Sequence, residues 1–224
     1  MRVVSLVPSV TETLLAWGVV PVAVTRFCEH PELPAVGGTK DPDLAAIVAL
    51  RPDVVVVNDE ENRREDADAL AAAGVDVHVV RVGSVADVGP AMDALADRLG
   101  QAAPAPPVAP AVGTSGVRAF VPIWRRPWMT LNGTTYGSSV LQVLGVGNVF
   151  EAEPVRYPEV TLEEAAARRP DVVLAPSEPY PFRDRHRAEL AAVAPVRLVD
   201  GQDLFWWGAR TTEALARLAR VLRG

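Results

Sequence analysis

Two parts of this chain gather the residues that could do chemistry. The first is TRFCEHPELPAVGGTK, residues 25–40, which holds a ring at Phe27, the one thiol at Cys28, a carboxylate at Glu29, an imidazole at His30 and the one lysine at Lys40. Such a set could exchange protons or offer an axial ligand to a metal, but Cys28, Glu29 and His30 are too adjacent to close a tetrahedral site by themselves. The second is shared between PIWRRPWMT (122–130) and DLFWWGART (203–211), which contain Trp124, Trp128, Trp206 and Trp207, four of the five tryptophans. Flat rings give a planar ligand a large contact at low entropic cost, and the interleaved Arg125, Arg126 and Arg210 could hold carboxylate or phosphate groups. The alternative is that these rings, with Tyr136, Tyr157 and Tyr180, only pack a core, and that Cys28 is a small buried hydrophobe in a surface loop.

Signatures of catalysis are missing. No G-x-S-x-G elbow, P-loop, H-E-x-x-H or C-x-x-C occurs, and Gly145-Val-Gly147 lacks the third glycine and acidic partner of a dinucleotide fingerprint. Only His30, His78 and His186 are available. His78 lies inside DVHVV and reads as a packed strand residue, whereas His186 in RDRHRAEL reads as a solvated helix face. No nucleophile and base pair stands out, whereas the rings offer a wall for a ligand, so the residues favour binding over catalysis.

The elements that must position these groups follow a simple alternation. Short valine-rich runs at 2–7, 21–25, 53–57, 76–80, 117–123, 171–175 and 196–200 alternate with amphipathic stretches of helical period. Strands apolar on both faces predict parallel sheets covered by helices, hence an α/β fold. Thr161 to Glu164 fits a capping box, Asp43 holds the matching N-cap position 118 residues earlier, and Ser9 to Glu12 fits another box ahead of Leu14. Gly18 and Gly74 read as helix stops, and Trp17 as a core residue. RPDVVVVNDE (51–60) returns as RPDVVLAPSE (169–178), a helix end, a Pro-Asp turn and a buried strand in both places. Repetition at half the length predicts two lobes, 1–99 and 117–224, joined by the proline-rich segment 100–116.

Composition narrows the partners. Twenty-two basic residues against 28 acidic ones give a net charge of −6, which argues against nucleic acid or anionic lipid. A single cysteine excludes an internal disulfide. The N-terminus enters a strand-like run directly, without the basic stretch and apolar segment of a secretory signal, which predicts a cytoplasmic protein, or an exported or lipid-anchored one if a signal has been removed.

The ordered phrases VVSLVPSVTETLLAWG, TRFCEHP, GGTKDPDL, RPDVVVVNDEENR, PIWRRPWMTLNG, VGNVF, YPEVTLEE and RPDVVLAPSEPYPF resemble the substrate-binding proteins of vitamin B12, siderophore and haem ABC importers, and among them most the cobalamin-binding branch. The resemblance runs from about residue 2 to residue 222. It implies two Rossmann-like lobes, a metal chelate (a cobalamin-like corrinoid, haem or ferric siderophore) clamped between them as ligand, no intrinsic cofactor, and an ABC permease as partner. Carried over position by position, the ligand-binding set takes Pro8, Ser9, Phe27, Trp128 and Tyr157, with Trp206 and Arg210 where the family supplies polar contacts. Cys28, Glu29, His30, Lys40 and Trp124 join them from the clusters described above. Trp206 stands where the B12 binder has a charged residue, and Thr39 where it has a ring. The family docks on its permease through one acidic residue per lobe, which here falls on Glu163 in the second lobe and on Ala45 in the first. An enzyme or chaperone acting on a metal-tetrapyrrole cofactor is the alternative function.

Overall fold

The computed structural model describes residues 1–102 and 116–223. Most of the expected connection at 100–116 lies outside the described residues. The chain forms two compact units. Among the described residues, the first takes 1–82, 87–102 and 207–209, and the second takes 83–86, 116–206 and 210–223.

In the first unit the strands are β1 (Val3–Ser5), β2 (Ala23–Val24), β3 (Val54–Asn58) and β4 (Val77–Val80). They form one parallel sheet in the order β2-β1-β3-β4, with Val3 opposite Val54 and Val55 opposite Val77. Helices α1 (Pro8–Ala16), α2 (Leu44–Ala49), α3 (Arg64–Ala72) and α4 (Val85–Leu99) connect or follow them. Val4, Leu6, Ala23, Val36, Ile47, Val55, Val57 and Leu70 make the core. β1 and β3 are buried throughout, as the apolar runs require.

The second unit repeats the plan. Its strands are β5 (Arg118–Phe120), β6 (Trp128–Met129), β7 (Gly147–Asn148), β8 (Glu159–Val160), β9 (Val172–Pro176) and β10 (Val196–Val199). β10-β9-β5-β7 form a parallel sheet, and β6 pairs antiparallel with β8, Trp128 opposite Val160. Its helices are α5 (Tyr136–Val143), α6 (Leu162–Ala167), α7 (Arg187–Leu190), α8 (Gly201–Phe205) and α9 (Thr211–Arg223). Phe120, Val149, Phe150, Ala165, Val173, Phe182 and Leu190 belong to its core.

The repeated phrase has a physical role in both units. Arg51 (φ 47°) and Arg169 (φ 52°) take the left-handed conformation just past α2 and α6. The following proline cannot continue a helix, so the chain leaves at once into the strand. Asp53 then accepts the backbone N–H of Arg2 at 2.6 Å and gives its own N–H to the Arg2 carbonyl. Asp171 does the same with Arg118 at 2.8 Å. The phrase is a clasp between the second helix of each unit and its first strand.

The other start and stop signals divide. Asp43 caps α2 by accepting the Ala46 N–H at 2.9 Å, and Thr161 and Glu164 form the reciprocal capping box on α6. Gly18 and Gly74 end α1 and α3 at positive φ. The box expected at Ser9 does not form. Val7 is the N-cap of α1 without a side-chain bond, and Pro8 begins the helix, because its fixed φ suits the first turn and it has no N–H to satisfy. Ser9 is therefore inside the helix, buried, with its hydroxyl lacking a hydrogen-bond partner. Trp17 is half-buried at the C-terminal end of α1 rather than in the core, and His78 is half-buried on edge strand β4. His186 is corrected outright: it is 5% exposed, in a short 3-10 turn (Asp184–His186), packed on Tyr180 and Phe182.

Candidate functional site

The loop after β2 does not focus its chemistry on one point. Cys28 gives its S–H to Thr11 Oγ1 at 3.3 Å and lies 3.5 Å from Thr25 Oγ1, which ties the loop to α1. His30 Nδ1 meets Glu32 Oε1 at 3.0 Å near the surface, and Glu29 is exposed. The Glu32 carboxyl is held below its usual pKa, first by a backbone hydrogen bond and then by His30. Lys40 donates to the Glu60 carbonyl at 2.7 Å. Among the described residues no group of three or more His, Cys, Asp or Glu is placed to hold a metal ion. What the loop offers a ligand is Phe27, 53% exposed, with the Arg26 guanidinium 5.1 Å from its ring centre and held there by two bonds to Asp41.

Pro8 and Ser9 are buried at the start of α1, the end of β1 from which they follow. The strand ends nearby are fixed by two asparagines that sequence reasoning passed over. Asn62 donates to the carbonyls of Leu6 (3.1 Å) and Thr39 (3.0 Å), and Asn58 donates to Val80 (3.0 Å) while accepting the N–H groups of Glu60 and Glu61.

In the second unit, Trp124 and Trp128 belong to one aromatic cluster. Trp124, 44% exposed, meets Tyr180 edge-on at 5.7 Å, Tyr180 lies 4.8 Å from Phe182, and Phe182 stacks on Trp128 at 6.0 Å. Such pairs add stability beyond area and hold rings in fixed planes. Arg125 sits 5.9 Å from the Trp128 ring and is anchored by Glu189 at 2.8 Å, which pushes the guanidinium pKa up. His186 closes the cluster, its Nδ1 facing the Arg183 backbone N–H (3.0 Å) and its Nε2 facing Arg185 Nε (3.2 Å). Tyr157, at the edge of exposure, has the Arg156 guanidinium 5.9 Å from its ring.

Trp206 and Arg210 are also neighbours, 5.3 Å from guanidinium to ring. Beneath them Asp203, with a 4% exposed side chain, takes two bonds of 2.7 Å from Arg217 and lies 3.5 Å from Arg210. Arg210 also donates to Gln202 Oε1 at 3.0 Å. The Asp203 bonds push the Arg217 pKa upward. This clamp joins α8 to α9 over 14 positions, and no local pattern marks it. Burial pushes the Tyr136 hydroxyl up to about 12, and its partner is Thr211 at 3.4 Å. Every predicted ligand-binding ring except Trp124 thus carries an arginine beside it.

Glu163 and Ala45 are both exposed on the first turns of α6 and α2, at the same distance from the caps Thr161 and Asp43.

Comparison with known proteins gives consistent matches. Residues 3–105 match the family profile described as periplasmic binding protein. The vitamin B12-binding protein of Salmonella choleraesuis is 28% identical over 189 residues, covering 77% of this chain and 71% of that one. Among solved structures, the periplasmic vitamin B12-binding protein BtuF of Vibrio cholerae superposes with a TM-score of 0.79 at 22% identity, over 99% of this chain and 96% of that one. The periplasmic haem-binding protein HutB of Vibrio cholerae gives 0.77 at 20% identity, over 100% and 99%. At these identities the two structures bear on the fold, and they bear out the two-lobed α/β architecture. The cytoplasmic placement expected above is overturned, since the matched family and both solved neighbours are periplasmic, an exported class. The feature used for it was uninformative, because a mature exported chain also starts without a leader.

Proposed function

We propose that this chain, whose residues 3–105 match the profile described as periplasmic binding protein, is the substrate-binding component of an ABC importer for a metal chelate of the corrinoid, haem or ferric-siderophore type. Such a component binds and delivers its cargo rather than catalysing a reaction on it. The metal enters inside the cargo and is not a resident cofactor. The residues proposed to contact a ligand are Pro8, Ser9 and Phe27 in the first unit and, in the second, Trp124, Trp128, Tyr157, Trp206 and Arg210. The observation that carries the reading is that partly exposed rings, Phe27 in the first unit and Trp124, Trp128, Tyr157 and Trp206 in the second, mostly have a guanidinium within 6 Å, a pairing that suits a large planar ligand with polar edges. Cys28 and Lys40 tie down the loop that carries Phe27, and Glu29 and His30 stand on that loop as further proposed ligand contacts. Glu163 is the contact offered to a permease by the second unit, and Ala45 offers none at the corresponding place.

Tryptophan fluorescence tests this directly. Cyanocobalamin, haemin and a ferric siderophore are each titrated into the protein. At least one is expected to quench at micromolar concentration, and Trp128→Ala or Trp206→Ala to weaken it about tenfold, the loss of one stacked ring. No quenching by any of the three overturns the proposal.

A further inference from the structure

We propose that the cargo is an anionic chelate, a tetrapyrrole bearing free carboxylates rather than an amide-fringed corrinoid, and that Arg185 beside the Trp124 cluster is the residue that selects the charge. This rests on the reading above that the cargo is a metal chelate, and it commits to one class among those named there.

The argument starts from His186. Its ring is buried, and both of its nitrogens face donors: the Arg183 backbone N–H at Nδ1 and the Arg185 side-chain Nε–H at Nε2. A neutral imidazole has one nitrogen with a free lone pair and one that carries a proton. The backbone N–H is fixed by the 3-10 turn, so Nδ1 is the acceptor and Nε2 holds the proton. Arg185 Nε–H then points at another N–H. Protonating the ring makes the conflict worse, because both nitrogens become donors beside more positive charge. The arginine therefore occupies an unfavourable position and gains by turning to an acceptor outside the cluster.

Charge points the same way. Arg125 is neutralised by Glu189 at 2.8 Å and Arg187 by Asp184 at 2.7 Å. Arg126, Arg183 and Arg185 make no ion pair among the described residues, and all three are exposed. Arg185, Arg125 and Arg183 all disfavour a proton on His186, and only Glu189 opposes them, which places net positive potential on this cluster. The half-buried Tyr180 ring packs on His186 and is met edge-on by the exposed Trp124. A ring to stack on, with an arginine fork ready for a carboxylate, matches a flat chelate with acidic side chains. Neutral amides would leave the surplus charge unanswered.

The test compares haemin with its dimethyl ester, which keeps the ring and metal but masks both carboxylates, and with cyanocobalamin. Affinities are read by tryptophan quenching on the wild-type protein and on Arg185→Gln. Haemin is expected to bind about tenfold or more tightly than its ester, and Arg185→Gln to close that gap to within about threefold. An ester that binds as tightly as haemin, a gap that survives Arg185→Gln, or binding of cyanocobalamin in preference to haemin overturns the inference and leaves the chelate reading standing. Binding of none of the three overturns both. Because Arg185 is exposed and its side chain makes one contact, the variant is expected to keep the wild-type thermal midpoint.

Discussion

Among single residues, His186 is an imidazole buried between the Tyr180 and Phe182 rings with arginines on either side of it in the chain. RDRHRAEL has six charged or ionisable residues in eight, so a surface helix is the natural expectation. In the fold, the ring packs on Tyr180 and Phe182 while its arginine neighbours stay outside, an arrangement set by partners distant from any helical repeat. It has a consequence for stability. Burial first, then Arg185, Arg125 and Arg183, lower the His186 pKa from its ordinary 6.5, against the pull of Glu189. Above about pH 6.5 neither the folded nor the unfolded chain holds the proton. Below it the unfolded chain takes the proton and the folded ring resists, so stability falls as pH drops. His78, lowered by burial, acts in the same direction. The thermal midpoint is expected to fall between about pH 7.5 and 5.5, and to fall less in His186→Gln. Parallel slopes for the two proteins would rule out this role for His186.

At the scale of elements, the strands with apolar runs were legible, because short β-branched runs bounded by turn residues favour a buried strand over a helix. β6, β7 and β8 were not, since each is two residues long and exists only through pairing with a distant partner. The caps at Asp43 and Thr161 were legible, those at Thr135 and Asp200 were passed over, and the start of α1 was misread at Ser9, where proline geometry sets it. The segment between α8 and α9 makes a sharper point. Gly208 has φ +107°, and a Cβ there would lie 2.1 Å from Thr13 Oγ1. That hydroxyl donates to the Ser9 carbonyl at 2.9 Å and accepts the Ala209 N–H at 3.1 Å, so it cannot simply turn away. Gly208→Ala combines backbone strain with a clash and is expected to cost at least about 2 kcal/mol, measured by urea unfolding. A loss below about 0.5 kcal/mol, the level of a neutral surface change, would mean that α1 and this segment adjust freely.

At the scale of the whole molecule, the repeat accounts for the architecture. Two units share strand order, the left-handed arginine after the second helix and the aspartate clasp, so one solution to helix-to-strand reversal is used twice. A cargo that binds only the folded protein adds stability by mass action, roughly 2.7 kcal/mol at a hundredfold excess over Kd. For a chain of this size that raises the thermal midpoint by roughly 5–10 °C. Differential scanning fluorimetry with saturating haemin measures it, and an unmoved midpoint alongside fluorescence quenching would identify the quenching as non-specific.

The amino-acid sequence by itself determined the α/β class, the duplicated plan, the caps at Asp43 and Thr161 and the chemical types gathered in the ring-rich segments. These rest on local periodicity and on side chains that bond within a few residues of themselves. Only the tertiary structure decided which groups act together. Cys28 turned out to be a tie to Thr11, Lys40 a tie to the Glu60 carbonyl, and Asp203 the hidden partner of Arg217. It also set Arg185 against the buried His186 ring. Contacts across 14, 17 or 20 residues depend on how elements pack, and packing is a property of the whole fold that no short window of sequence contains.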